Sequence, residues 1–254
     1  IISGVTDIET IIEENNLEKD IGKFIFTEVL QKVTGDEKSL LETLSACRNG
    51  LTVEAIKEIG RISNLPLILS QLESKMLIEK LHNSLYVIQP VLKEYIWEEL
   101  SESKKNTIHN MLGEYFEKHP ELYRESFHHW INAGKPEKAG EILQKHMEEL
   151  YSLGYYQEFM EKIELLEKYM PVTDNIKIVK ANILAVQGHY KESVNILHEL
   201  KSKIVEKGLL AKAYLSLADI YFYMSNYHDA IGFYEDSLNM FRENGNMEQV
   251  SKIN

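Results

Sequence analysis

Cysteine is almost absent from this 254-residue sequence. Its single Cys47 excludes an internal disulfide and any cysteine-rich zinc cage. Proline is scarce as well, with five residues, and β-branched runs are few, which favours helix. No run of about eighteen apolar residues occurs, so no helical membrane span is expected. No signal-peptide pattern is present, and the setting is read as cytoplasmic. Cations are outnumbered: 28 Lys and Arg stand against 40 Asp and Glu, for a net charge of −12. Such a chain feels no general pull toward phosphate backbones. Catalytic signatures are missing too. There is no GxxxxGK[ST], GxGxxG or GxSxG. The expectation is a non-enzymatic chain with no catalytic residue, no metal ligand and no cofactor of its own.

What is present is globular. The chain is 44% hydrophobic and 9% aromatic, too apolar for a disordered polymer and long enough for two modest cores. It begins Ile1-Ile2-Ser3 and ends within a helical pattern, so it reads as a piece of a longer protein. Three stretches differ in character. Residues 1–37 are acidic (net −6) and read as a helical lead-in from an upstream domain. Ile8, Ile11 and Ile12 fall at helical spacing there, as do Ile21, Phe24, Ile25, Val29 and Leu30, with Gly35 as the stop.

Residues 38–100 are nearly neutral and change rhythm. Asp36 is placed to cap a helix carrying Leu40, Leu41 and Leu44. Asn49-Gly50 signals a turn, and Thr52 caps a short helix with Val53, Ile56 and Ile59. Asn64 precedes a third helix with Pro66 in its first turn and a stripe of Leu65, Ile68, Leu69 and Leu72. Met76–Lys80 and Leu85–Ile88 read as two strands joined at His82-Asn83-Ser84. Gln89-Pro90 opens a closing helix. Three helices, a hairpin and a helix are the order of a winged helix.

Residues 101–254 read as helix after helix, over 121–133, 136–152, 155–169, 174–187, 190–206, 209–224 and 227–243, after a first run capped at Ser101 or Ser103. Joints this short make consecutive helices antiparallel neighbours. Gly154/Tyr156, Gly188/Tyr190 and Ser225/Tyr227 recur at 34 and 37 residues. The last unit is clearest: Tyr214, Leu217, Ala218, Tyr221, Tyr227, Ala230, Tyr234, Ser237 and Leu238 match the tetratricopeptide pattern, in which small residues let two helices approach. The unit at 174–207 matches more weakly, and its second helix is expected to carry an extra turn. Before residue 170 the helix-pair rhythm continues without the signature. The fold class is therefore mostly α, a winged-helix domain followed by an α-α superhelix of tetratricopeptide-like repeats with a groove.

Polar clusters in this sequence have structural readings. His128 and His129 are adjacent on a helix and point about 100° apart, so they do not share a metal. Glu98-Glu99 and Glu148-Glu149 read as solvated faces, Cys47 as a core filler, and Trp97 and Trp130 as packing. Tyr214, Tyr221, Tyr227 and Tyr234 are partly core by the repeat rule. Tyr223 lies off that stripe and is the candidate partner contact in the groove. In the third helix of the winged-helix order, Asn64–Lys75 carries one Lys, one Glu and no Arg. A duplex reader brings several cations to phosphates and base edges, so DNA binding is the weaker alternative.

The segment Tyr86-Val87-Ile88-Gln89-Pro90-Val91-Leu92-Lys93-Glu94-Tyr95 resembles the one closing the winged helix of STAND signal-transduction ATPases, the family of the bacterial maltose-regulon activator and its archaeal relatives. Phe127-His128-His129-Trp130-Ile131-Asn132-Ala133-Gly134-Lys135-Pro136-Glu137-Lys138-Ala139 is similar to the helix pair that follows there. Phe26–Leu30 is similar to the approach. The resemblance implies a nucleotide-binding core upstream, a winged helix folded onto it, and superhelical repeats that receive an inducer, a protein or a peptide. It also implies a nucleotide-sensing position at Gln89, where the family has a histidine. Glutamine donates a hydrogen bond to a phosphate but carries no charge. Taken by itself, Gln89 is a helix N-terminal residue before Pro90.

Overall fold

The structure is a computed structural model that describes residues 32–253 apart from Arg61 and Asn83. The two apolar runs before residue 31 lie outside the described residues. In chain order come α1 (Gly35–Ala46), α2 (Val53–Gly60), α3 (Leu65–Ser74), β1 (Ile78–Lys80), β2 (Tyr86–Ile88), α4 (Pro90–Glu99), α5 (Glu102–Glu117), a 3-10 turn (Pro120–Leu122) and α6 (Tyr123–Asn132). There follow α7 (Pro136–Ser152), α8 (Tyr156–Glu167), α9 (Asp174–Val186), α10 (Tyr190–Lys201), α11 (Lys207–Tyr223), α12 (Tyr227–Glu243) and α13 (Met247–Ile253). The chain is mostly α-helical with one small hairpin, and its order is a winged helix followed by helix pairs. Two compact units part between Gly134 and Lys135.

In the first unit, α1 is capped two residues earlier than the sequence suggests. Thr34, not Asp36, is the N-cap: its hydroxyl accepts from the Glu37 amide, and the Glu37 carboxylate accepts from the Thr34 amide at 2.6 Å. This reciprocal pair satisfies two helix-end donors at once, so Gly35 enters the helix rather than ending one. Thr52 caps α2 through the Ala55 amide, and Ser101 caps α5 through that of Lys104. Asn64 precedes α3 with φ of 56° and makes no side-chain cap, while Pro66 occupies the first turn.

β1 and β2 pair antiparallel, with Ile78 opposite Ile88. Leu51 adds a bridge to Tyr86, exchanging backbone bonds of 3.0 and 2.8 Å. Gly50 makes that bridge feasible: its φ is +82°, and a Cβ there would lie 2.5 Å from the Tyr86 carbonyl oxygen. Leu40, Leu41, Leu44, Ile56, Leu72, Leu92, Ile108 and Leu112 are buried in one core. Each fully buried Leu or Ile contributes about 2 kcal/mol. Because α5 carries Ile108, Leu112 and Phe116 into the same cluster, this core runs past Leu100, the last winged-helix residue of the sequence reading.

In the second unit each helix packs on its neighbours in the order repeats require. α9 lies against α7 and α8 of the preceding pair and against α10 and α11 after it, and α11 packs on α10 and α12. The joints after α7, α9 and α11 share one geometry. Gly154, Gly188 and Ser225 have φ of 75°, 85° and 61°, and the following amides reach back to Leu150, Leu184 and Tyr221. This is the Schellman closure, and Ser225 adopts it without being glycine. Small residues sit where the repeat pattern puts them: Ala218 and Ala230 are buried, and the Ser193 hydroxyl donates to the Ala181 carbonyl at 2.6 Å.

Two expectations for this unit need correction. α10 ends at Lys201, so the additional residues of that repeat form a loop, with Val205 93% exposed, rather than another turn. Tyr227 is 56% exposed and lies outside the core.

Candidate functional site

α11 defines one face of the repeat unit. Lys212, Asp219 and Tyr223 are spaced by seven and four residues, which stacks them on one side of a 3.6-residue helix. Its opposite side is buried: Ala213, Leu217 and Ile220 join Ile178, Ala181 and Leu197 in a core cluster. Phe233 lies parallel to Tyr221, 5.3 Å between centroids, and Tyr214 meets it edge-on. The aromatic residues of the repeat signature are thus partly consumed in packing, while Tyr223 is left 63% exposed.

At the C-terminal end of this face the tyrosines gather around a carboxylate. Tyr234 donates to Asp219 Oδ1 at 2.6 Å. Tyr151 of α7 and Tyr156 of α8 meet at 5.5 Å between centroids. Burial holds the Asp219 carboxyl above its usual range, against the pull of the Tyr234 hydroxyl. Burial also pushes Tyr151 up, and Tyr156, Tyr223 and Asp219 add to the shift. Tyr234 is raised by burial, by its bond to Asp219 and by Tyr223. Tyr151 and Tyr234 therefore both feel Tyr223 and Asp219, although α7 and α11 are separated by α9.

The N-terminal end is polar. A cavity of about 510 Å³ is lined by Gln144 of α7, Thr173, Asp174 and Asn175 at the start of α9, Lys212 of α11, and Asn244 and Asn246 beyond α12. Thr173 caps α9 and donates to Gln144 Oε1 at 3.1 Å. Asp174 is paired with Lys177 at 3.1 Å. Asn175 and Asn182 of α9 stand 37 residues before Lys212 and Asp219, so the two adjacent helices carry an amide pair and a charge pair in the same register. The sequence reading found Tyr223 but neither Lys212 nor Asp219. The 37-residue offset applied to polar positions, instead of to the apolar signature, would have found both.

Gln89 lies in the first unit. It is the exposed N-cap residue of α4, with no side-chain capping bond. It borders a cavity of about 360 Å³ shared with Arg48, Glu79 and Lys93. Both cations there are engaged: Lys93 Nζ donates to the Cys47 carbonyl at 2.7 Å, and Arg48 grips Glu125 at 2.9 and 3.2 Å. Gln89 and Tyr223 thus belong to separate units.

His109 and His129 form a buried structural pair. His109 and His129 face each other Nδ1 to Nδ1 at 2.8 Å, so one is the donor tautomer and the other the acceptor. Trp130 is fully buried beside them in the sequence, and Trp97 meets His109 edge-on at 5.1 Å. Cys47 is buried with its thiol against the Thr43 carbonyl, and burial pushes its pKa far up. Among the described residues no group of three or more His, Cys, Asp or Glu could hold a metal ion, and no helix is long and apolar enough to cross a membrane.

No known protein-family model and no curated protein matches the sequence. Among solved structures the chain is similar to a Signal Transduction ATPase with Numerous Domains (STAND) protein with a tetratricopeptide repeat sensor from Pyrococcus horikoshii. The TM-score is 0.69 at 22% identity, over 88% of this chain and 34% of that one. The likeness is one of fold, and this chain spans about a third of the length of the protein it matches.

Proposed function

We propose that this chain is the regulatory, partner-binding arm of a STAND-type signalling ATPase. The repeat face from Lys212 to Tyr223 receives a ligand or partner. The winged helix serves as a packing module against a nucleotide-binding core. Binding to the repeats shifts the population from a closed to an assembly-competent form, in proportion to the difference in affinity for the two. Catalysis resides in that core, and the setting is cytoplasmic. Gln89, exposed at the start of α4, is the position offered to the nucleotide when the core is docked.

The observation that carries this reading is the line of Lys212, Asp219 and Tyr223 along one side of α11, with Lys212 opening on a cavity, while Ala213, Leu217 and Ile220 of the same helix are core. A protein-docking role for the winged helix is supported by α3. Its exposed residues include Leu67, Ser70, Gln71, Glu73 and Ser74, and the nearby Lys75 is tied to the buried Glu37 at 2.6 Å. That is a poor phosphate-binding surface.

Thermal unfolding of the chain with a panel of peptides and small metabolites tests the reading. A ligand at about 100 times its Kd adds about 2.7 kcal/mol of stability. The gain should vanish in Tyr223→Ser. A panel without a stabilising member, together with retention of duplex DNA at about 0.15 M salt, would favour the DNA-binding regulator instead.

A further inference from the structure

We propose that the repeat groove takes a short zwitterionic peptide, its ammonium at Asp219 among the tyrosines and its carboxylate at Lys212 among the amides. This rests on the partner-binding reading above and names the ligand class.

At one end, the half-buried Asp219 carboxylate has a single hydrogen-bond donor among the described residues, Tyr234, on Oδ1. Asp219 and Tyr223, four residues apart on α11, both lie close enough to Tyr151 and Tyr234 to raise them, and Tyr156 meets Tyr151 at 5.5 Å between centroids. A partly desolvated carboxylate with tyrosines nearby favours a cation, and an ammonium also brings donors for Oδ2. At the other end, Lys212 is half-buried, makes no ion pair among the described residues, and opens on the cavity with Gln144, Asn175, Asn244 and Asn246. Asp174 in the same cavity is paired with Lys177 at 3.1 Å, and the exposed Glu206 also lines it. An anion at Lys212 therefore meets one uncommitted cation and several amide donors.

The seven residues from Lys212 to Asp219 rise about 10 Å along α11. An extended chain advances about 3.4 Å per residue, so three or four residues span the two charges. Asn175 and Asn182 run alongside at the same spacing on α9, where they can serve the peptide groups in between. A hydrocarbon linker of equal length would leave those amides unpaired.

Calorimetric titration of the chain with tri-alanine is the test, with N-acetyl-tri-alanine, tri-alanine amide and 8-aminooctanoate as companions. Free tri-alanine should bind at least about tenfold more tightly than each companion. Asp219→Asn should abolish the preference over the acetylated peptide alone, and Lys212→Met the preference over the amide alone. Equal binding of free and blocked peptides overturns the proposal, as does loss of both preferences in either variant. Equal or tighter binding of 8-aminooctanoate overturns the peptide and leaves a plain ω-amino acid. If tri-alanine does not bind while another compound stabilises the chain in a Tyr223-dependent way, this inference falls and the partner-binding reading stands. If nothing binds, both fall.

Discussion

The two units treat charge in opposite ways. In the winged-helix unit the buried ionisable groups Glu37, His109 and His129 have partners: Glu37 bonds Lys75 and Thr34, and His109 bonds His129. In the repeat unit, among the described residues, Lys212 is left without an ion partner and Asp219 keeps a single tyrosine donor. A buried pair mostly guards against the cost of leaving either partner alone, whereas an uncommitted charge in a cleft is a binding determinant. The first unit is arranged to hold a shape and the second to meet a ligand.

The largest effect expected is from Trp130→Ala. The ring is fully buried and its removal should cost about 3–5 kcal/mol. Hydrogen exchange read by segment should show lost protection over 40–132 with protection kept over 174–243. Equal loss across both segments would abolish the contrast between the units.

Next come two substitutions at one repeat position. Phe159, Ser193 and Ala230 follow the turn residues Gly154, Gly188 and Ser225 at the same distance, and all three are buried. The first pair therefore fills with Phe159 the gap that later pairs close by approach. Phe159→Ala should cost about 3–4 kcal/mol through a cavity. Ala230→Phe should cost about 1–3 kcal/mol through overpacking. Denaturant midpoints at constant m-value measure both, and a tolerated Ala230→Phe would show that α11 and α12 are not closely packed.

Much of the architecture was legible in the residues because its signals are local. Proline in the first turn of α3 and α4, the Thr52 and Ser101 caps, the hairpin and the joints after α7, α9 and α11 all depend on two to six neighbouring residues. The cap of α1 was misplaced because Thr34 and Asp36 are both competent, and only the Glu37 carboxylate, reaching back, decides between them. The missing signature before residue 170 has a cause in volume, since Phe159 stands where the pattern wants a small side chain. The site was less legible. Tyr223 stands out by failing the core pattern, but Asp219 matters only beside Tyr234 and Tyr151. That proximity is made by packing α7, α9 and α11 together, and no local window contains it.

Acid should separate the units more gently. Burial lowers His109 to about 4 and, with His109 and His128 nearby, lowers His129 to about 2. Both are bases whose folded pKa lies below the unfolded value of about 6.5, so below that pH the unfolded state binds more protons. Stability is complete above about pH 6.5 and falls as pH drops toward 4, with His129 continuing toward 2. Tryptophan fluorescence follows this unit alone, because both tryptophans lie in it. His129→Leu should reduce the proton uptake on unfolding by about one. An unchanged slope would mean the pair is solvated.

The smallest effects are expected at Asp219, and their signs matter more than their size. Tyr234→Phe removes the hydroxyl that holds the carboxylate, at a cost of about 1 kcal/mol. Asp219 is an acid with its folded pKa raised by burial, so the native state favours the protonated form. Stability of the repeat unit therefore declines as pH rises from the unfolded value of Asp through the folded one, and Tyr234→Phe deepens that decline. Asp219→Asn should remove the pH dependence and leave the unit as stable as the parent or slightly more so at neutral pH. A carboxylate whose loss stabilises the fold while weakening a ligand's ammonium contact is there for binding. If Asp219→Asn instead destabilises the unit as much as Tyr234→Phe does, Asp219 is a structural partner like Glu37, and the two units handle charge alike.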